Sequence, residues 1–259
     1  MDTESCQASP TARDDARLFA VDIEQQILRV RTEGAALAQA AEAGGFDAAV
    51  PCCPGWNVDA LLRHVGDVHR WAATIIRERV QARLARDFEG PAERDALLTW
   101  YLEGCGALVD VLAAASPDDA FWFWGPAPNA LAFWARRQAN ETAVHRCDAE
   151  AARGPITRLT TVDALDALDE WLALAPRRAT APEGGGRILR LVPTDGKVTW
   201  SVILGERVEV TSDRGRGHCE LRGPASDLYL WSMNRAGTEG MTVSGDATLL
   251  QVWADNIRF

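Results

Sequence analysis

The segment NETAVHRCDAE, residues 140–150, sets Glu141 and His145 four positions apart, with Asp148 three further on. On a helix, four residues advance a side chain by only about 40° around the axis. The carboxylate and the imidazole therefore share one face, with Asp148 close to it and Cys147 pointing about 200° from His145. A carboxylate and an imidazole presented together are two-thirds of a site in which two histidines and one carboxylate hold zinc or iron.

A third ligand has few sources, since the chain has only four histidines: His64, His69, His145 and His218. His64 lies in LLRHVGDVHRW, within an apolar register set by Leu61, Val65 and Val68 that a packed helix buries. His69 is about 140° further around that helix and cannot readily serve the same ion. His218 falls in a Gly- and Arg-rich turn. His64 is thus the candidate third ligand, although a histidine on an apolar helix face also serves as an ordinary hydrogen-bonded core residue. Spacing alone leaves both readings open.

Other polar groups surround the trio in sequence. Asp148 and Asp67 are each placed to accept a hydrogen bond from a ligand histidine and so orient it. Arg136 and Arg137 precede Glu141 by five and four residues; Arg137 shares its face and is placed to pair with Glu141 or to bind an anionic substrate, a plain surface ion pair being the expectation. Trp122, Trp124 and Trp134 cluster just before the ligand segment and suit either core packing or the wall of an apolar pocket. Cys6, Cys52, Cys53, Cys105, Cys147 and Cys219 form no CxxC pair and no zinc-finger spacing, so they read as thiols.

These residues need a scaffold, and the first 153 positions read as helices. Apolar positions recur at helical spacing from Asp14 to the Gly44-Gly45 stop, and Asn57 caps a second helix expected over 58–85. A third is expected over 91–115, before Ser116-Pro117, and a fourth from about Asn129 to Arg153. Beyond Pro155 one more amphipathic helix precedes the alternating runs RILRLVPT, KVTWSVILG and ERVEVTSD, which read as strands joined by hairpins. HCELRG and MTVSGD add strands, with helices after Pro224 and Asp246. The expectation is an α+β protein. It has a disordered N-terminus (1–14), a four-helix bundle (15–154) and a small C-terminal α+β domain (155–259).

The net charge of -10 disfavours nucleic acid and anionic membranes as partners. No leader-like apolar segment and no run near the roughly 20 residues of a membrane span is seen, which suggests a cytoplasmic protein.

VPCCPGWNVDALLRHVGDVHRWAATI, NETAVHRCDAE and LRGPASDLYLWSMNR...MTVSGDATLLQVW together resemble, in order, segments of the mycothiol-dependent maleylpyruvate isomerase family, within the DinB-like metal-binding bundle superfamily. The resemblance implies that His64, Glu141 and His145 bind a divalent metal, zinc or alternatively iron. It also implies that Arg235 of the C-terminal domain reaches into the groove that holds mycothiol, as a cofactor-binding and catalytic residue. The expected activity is thiol S-transfer to a small electrophile. The alternatives are cis-trans isomerisation of the maleylpyruvate type, oxygen chemistry at iron, and a non-catalytic metal-binding sensor. Expected partners are the thiol and a small electrophile, in a monomer or homodimer.

Overall fold

The computed structural model describes residues 22–175, 179–212 and 215–257. The expected disordered segment 1–14, with Cys6, lies outside them. Asp22 caps α1 (Ile23–Gly44), its carboxylate accepting from the Gln25 amide at 3.1 Å, and Gly45 ends that helix at φ 83°. Asn57 caps α2 (Val58–Arg77) through a 2.9 Å bond from the Ala60 amide. α3 (Arg94–Ala114) and α4 (Ala130–Ala151) complete the bundle, with α1 packed along α4 and α2 along α3. Helix α3 is long and apolar enough to pass the test for a membrane span, with a mean hydropathy of 1.4 in its most apolar window. Core helices of bundles pass the same test, and Leu97, Tyr101, Leu108 and Leu112 are buried in the bundle's interior.

Helix α2 stops at Arg77, eight residues short of the expected Ala85. Its last turn closes with paired bonds, Val80 amide to Ile75 carbonyl and Arg79 amide to Ile76 carbonyl, around Arg79 at φ 49°. That is a Schellman termination, which normally advertises itself through a glycine at the left-handed position. Here an arginine occupies it and bonds Asp119, so no stop signal is visible in the sequence. The chain then runs irregularly through residues 80–92. It is pinned by Trp71 donating to the Leu84 carbonyl (2.9 Å) and by the Phe88 amide donating to Asp67 (3.2 Å).

After α5 (Thr161–Leu174) comes a five-stranded sheet of order β3-β2-β1-β4-β5. Its strands are β1 (Arg187–Pro193), β2 (Trp200–Leu204), β3 (Glu209–Thr211), β4 (Cys219–Gly223) and β5 (Thr242–Gly245). Neighbours pair antiparallel, except β1 with β4, which run parallel in the register Leu191 opposite Leu221. Helices α6 (Ala225–Ser232) and α7 (Thr248–Asn256) pack against this sheet, burying Tyr229, Trp231 and Trp253. The same core includes Ala143, Val144 and Cys147 of α4, while Trp134 and Ala139 of α4 belong to the bundle core. Helix α4 therefore stands between the two layers and is covered on nearly every side.

Helices α2 and α3 approach closely at Gly66, where an added Cβ would collide with the Trp100 indole. That indole also carries the Arg70 guanidinium 4.0 Å from its centroid. Gly66→Ala gains helix propensity of about 1 kcal/mol but overpacks this contact by about 1–3 kcal/mol. The expected result in chemical denaturation is a net loss of stability.

Candidate metal centre

Helix α2 carries His64, Val68 and Trp71 at spacings of four and three, and α4 carries Gln138, Glu141 and His145 at three and four. Each set forms one stripe, and the two stripes line the same cavity of about 1050 Å³. At one end, Glu141 Oε1 lies 3.5 Å from His64 Nε2 and 3.5 Å from His145 Nε2. One ligand atom from each of the three residues falls within 4.8 Å of the others.

A tetrahedral zinc site with bonds of about 2.0–2.1 Å separates neighbouring donor atoms by about 3.3 Å. The two 3.5 Å separations match that spacing and are wide for good hydrogen bonds. Two imidazoles and one carboxylate, converging at the wall of a cavity, fit a divalent ion.

Each α4 ligand is held from behind. Arg137 donates to Glu141 Oε2 at 2.7 Å and to Glu170 of α5 at 2.8 Å, leaving Glu141 Oε1 to face the histidines. Burial works to raise the Glu141 pKa, but Arg137 and the two histidines hold it well below its ordinary 4.5. His145 Nδ1 is 2.9 Å from Asp148 Oδ2. Burial opposes the charged imidazolium, yet Asp148 and Glu141 together raise its pKa to about 9. His64, in turn, packs against Trp56 with centroids 4.9 Å apart.

Asp148 is fully buried, and its partner comes from the other layer. Helix α6 ends in a second Schellman closure, Arg235 amide to Leu230 carbonyl and Asn234 amide to Trp231 carbonyl, with Asn234 at φ 58°. That turn directs Arg235 back toward the bundle, where Nε and Nη2 each bond an Asp148 oxygen at 3.1 Å. The Arg235 side chain is 7% exposed and lines the cavity. It therefore reaches in from the C-terminal domain, but its firm grip is on Asp148. Cys52 and Cys53 sit half-buried beside it, and burial, with Asp148 nearby, pushes the Cys53 thiol up to about 12.

Several expectations need correction. Asp67 does not orient His64; it accepts from the Phe88 amide and pairs with Arg86 at 3.4 Å. Arg137 does pair with Glu141, as its spacing offered, but buried between Glu141 and Glu170 and not at the surface, and Arg136 is largely buried against Asp166 and Asp169. Asp148 does bond His145, as its spacing offered. His69 is a core residue, 2.9 Å from Thr142 Oγ1, with burial driving its pKa down to about 3. His218 accepts from the Ile188 amide in the sheet. Of the tryptophans, Trp134 is core, whereas Trp122 and Trp124 line the cavity together with Trp71. Glu170, Gln138 and Trp56 escaped sequence reasoning. The signal for Glu170 was the acidic stripe Asp163, Asp166, Asp169, Glu170 on α5, which needs basic partners once that helix is buried.

A helical bundle carrying such a trio is joined here to a small sheet domain. Residues 27–150, the helical domain, match the family described as the mycothiol maleylpyruvate isomerase N-terminal domain. The helical domain is thus of the maleylpyruvate isomerase N-terminal type. The whole chain is similar in fold to the crystal structure of the mycothiol-dependent maleylpyruvate isomerase. That match has 14% identity and a TM-score of 0.59, covering 92% of this chain and 97% of that one. A histidine-to-alanine variant of that isomerase matches over the same shares, with 14% identity and a TM-score of 0.58. No curated protein matches the chain.

Removing Arg235 takes away the arginine partner of the buried Asp148 and leaves it His145 alone as a charged partner. Arg235→Met is expected to cost about 3–5 kcal/mol, measured by urea denaturation, and adding Asp148→Asn should recover part of that loss.

Proposed function

We propose that this enzyme holds a divalent metal ion on His64, Glu141 and His145 and uses a low-molecular-weight thiol of the mycothiol kind on the double bond of a small electrophile, with isomerisation as the outcome. The observation that carries the reading is the convergence of the three donor groups at one wall of a large cavity. The match of residues 27–150 to a maleylpyruvate isomerase domain favours isomerisation over the S-transfer that the sequence put first. The two reactions share their first step: S-transfer stops at addition, whereas isomerisation continues through rotation about the new single bond and elimination of the thiol.

When bound, the ion supplies positive charge that lowers a thiol's pKa into the neutral range and leaves one coordination position open. The chain's own residues do the rest. Arg137 fixes which oxygen Glu141 presents. Asp148 accepts a hydrogen bond from His145 Nδ1–H, which turns Nε2 toward Glu141, and Arg235 keeps Asp148 ionised and in place. Cys53, raised to about 12, stays a neutral thiol at the cavity wall and does not compete as a nucleophile. A redox-sensor reading finds no support at Cys147, which is buried in the core and likewise pushed up to about 12. The donor set suits zinc and iron(II) alike, and zinc is the proposed ion.

Three results are expected. Elemental analysis should find one equivalent of metal in the purified protein. Asp148→Asn should weaken metal affinity by about 10–100-fold and His64→Ala by more; an unchanged metal content in His64→Ala and Glu141→Gln would remove the site. Because the metal needs a neutral His145 whose pKa in the metal-free protein is about 9, binding near pH 7 should release a proton. Metal affinity should then rise by about tenfold per pH unit and level off above about pH 9, as read by calorimetry in buffers of different ionisation enthalpy.

Turnover tests the reaction itself. Mycothiol should drive cis-to-trans conversion of an activated alkene and be recovered unchanged, while accumulation of a stable thioether would establish S-transfer instead.

A further inference from the structure

The two stripes that meet at the metal trio continue beyond it. From His64 to Trp71, and from His145 to Gln138, each helix advances seven residues, which is about 10 Å along its axis. At that far end the wall is tryptophan. Trp71 and Trp124 have centroids 5.9 Å apart, Trp122 and Trp124 5.1 Å, and all three rings line the cavity. The polar edge of Trp71 already donates to the Leu84 carbonyl, which leaves its ring to make apolar contacts.

The charges along this cavity point the same way. Arg137 and Arg235, the buried arginines of its lining, are engaged by Glu141 with Glu170 and by Asp148. Arg83 stands exposed at the rim, and Arg86 there pairs with Asp67. Among the described residues, a compact diacid would find no buried arginine at the tryptophan end to neutralise its second carboxylate. One polar group does remain there. Gln138 lines the cavity, is 1% exposed, and its Oε1 has no hydrogen-bond partner. A buried amide oxygen left in this state is costly, and a ligand hydroxyl donating to it would satisfy it. A sugar-bearing thiol is poorly matched to this end, where its many hydroxyls would meet rings and a single amide. The Cys52–Cys53 loop and Arg235, at the opposite end, are more polar.

We infer that the tryptophan wall and Gln138 form a substrate subsite that selects an electrophile with a flat aromatic or apolar body bearing a hydroxyl group, in preference to a compact dicarboxylate. This rests on the proposed thiol chemistry for where the reacting double bond lies, about 10 Å of cavity being enough to hold the body on the tryptophans and the alkene near the trio.

The test is calorimetric titration of the purified protein, with no thiol present, against an aryl enone with a ring hydroxyl, 4-(4-hydroxyphenyl)-3-buten-2-one, and against maleate. The enone should bind at least about tenfold more tightly. Trp124→Leu and Trp122→Leu should each weaken the enone by about tenfold, and Gln138→Leu by about five- to tenfold. Gln138→Leu should also keep or raise the melting temperature, because it removes an unsatisfied buried oxygen, and that confirms folding in the variant expected to bind worst. Tighter binding of maleate, or enone affinity unchanged in both tryptophan variants, would overturn the inference. So would a loss of melting temperature in Gln138→Leu, which would mean that the amide is structural. If the tryptophan variants weakened mycothiol and spared the enone, the wall would belong to the thiol and the inference would again fall. Because no turnover is involved, failure of mycothiol-driven isomerisation with enone binding intact would remove the proposed reaction and leave the subsite standing.

Discussion

A helix buried on nearly every face and carrying Arg137, Asn140, Glu141, His145, Arg146 and Asp148 imposes the main physical constraint on this protein. Unpaired, each charge would cost several kcal/mol to bury. The surrounding elements answer it one by one. Arg29 of α1 donates to Asn140, Glu33 of α1 and Glu150 hold Arg146, and Asp166 and Glu170 of α5 hold Arg136 and Arg137. Each pairing is specific in direction, so the helices can meet in few other rotations. The buried charges give little net stability, but they fix which face of α4 looks at α2.

The convergence of His64, Glu141 and His145 is a by-product of that arrangement. Glu141 and His145 lie on the bundle side of α4, yet the groups that orient them arrive by way of the C-terminal half: Glu170 through Arg137, and Arg235 through Asp148. The far side of the same helix, Ala143, Val144 and Cys147, is part of the sheet domain's core. The two layers are thus joined at the site by apolar packing and by a buried arginine–carboxylate bridge. The bundle contributes all three ligands, and the sheet domain sets the geometry in which they act.

Much of this was legible because helices enforce local periodicity. The Glu141–His145 pair, the offer of Asp148 and the Asn57 cap follow from residues within one or two turns of each other, and those readings agree with the structure. The strands were recognisable by alternation between turn residues, although β3 is only three residues long. What escaped is what depends on distant partners. Arg137 looked like a surface residue because nothing near it in sequence shows that α5 will cover it with Glu170. Asp67 sits as well spaced from His64 as Asp148 does from His145, but the returning 80–92 segment claims it first. The early end of α2 was invisible because a left-handed arginine, held by a distant Asp119, stands where a glycine would have marked the stop.

That early stop has a consequence for how such a protein can diversify. Past Arg79 the chain crosses the cavity mouth as an irregular span anchored at a few points, and Arg83, Leu84, Ala85 and Arg86 face the lumen from it. Lengthening a loop of this kind costs only a few tenths of a kcal/mol in closure entropy, and none of its residues is a ligand or holds one. That part of the cavity lining can therefore be rewritten by insertion, deletion or exchange while the charge lattice of α4 stays untouched. Trp71 and Gln138 are tied to the helices that carry the trio, whereas the opposite wall is free to vary on its own.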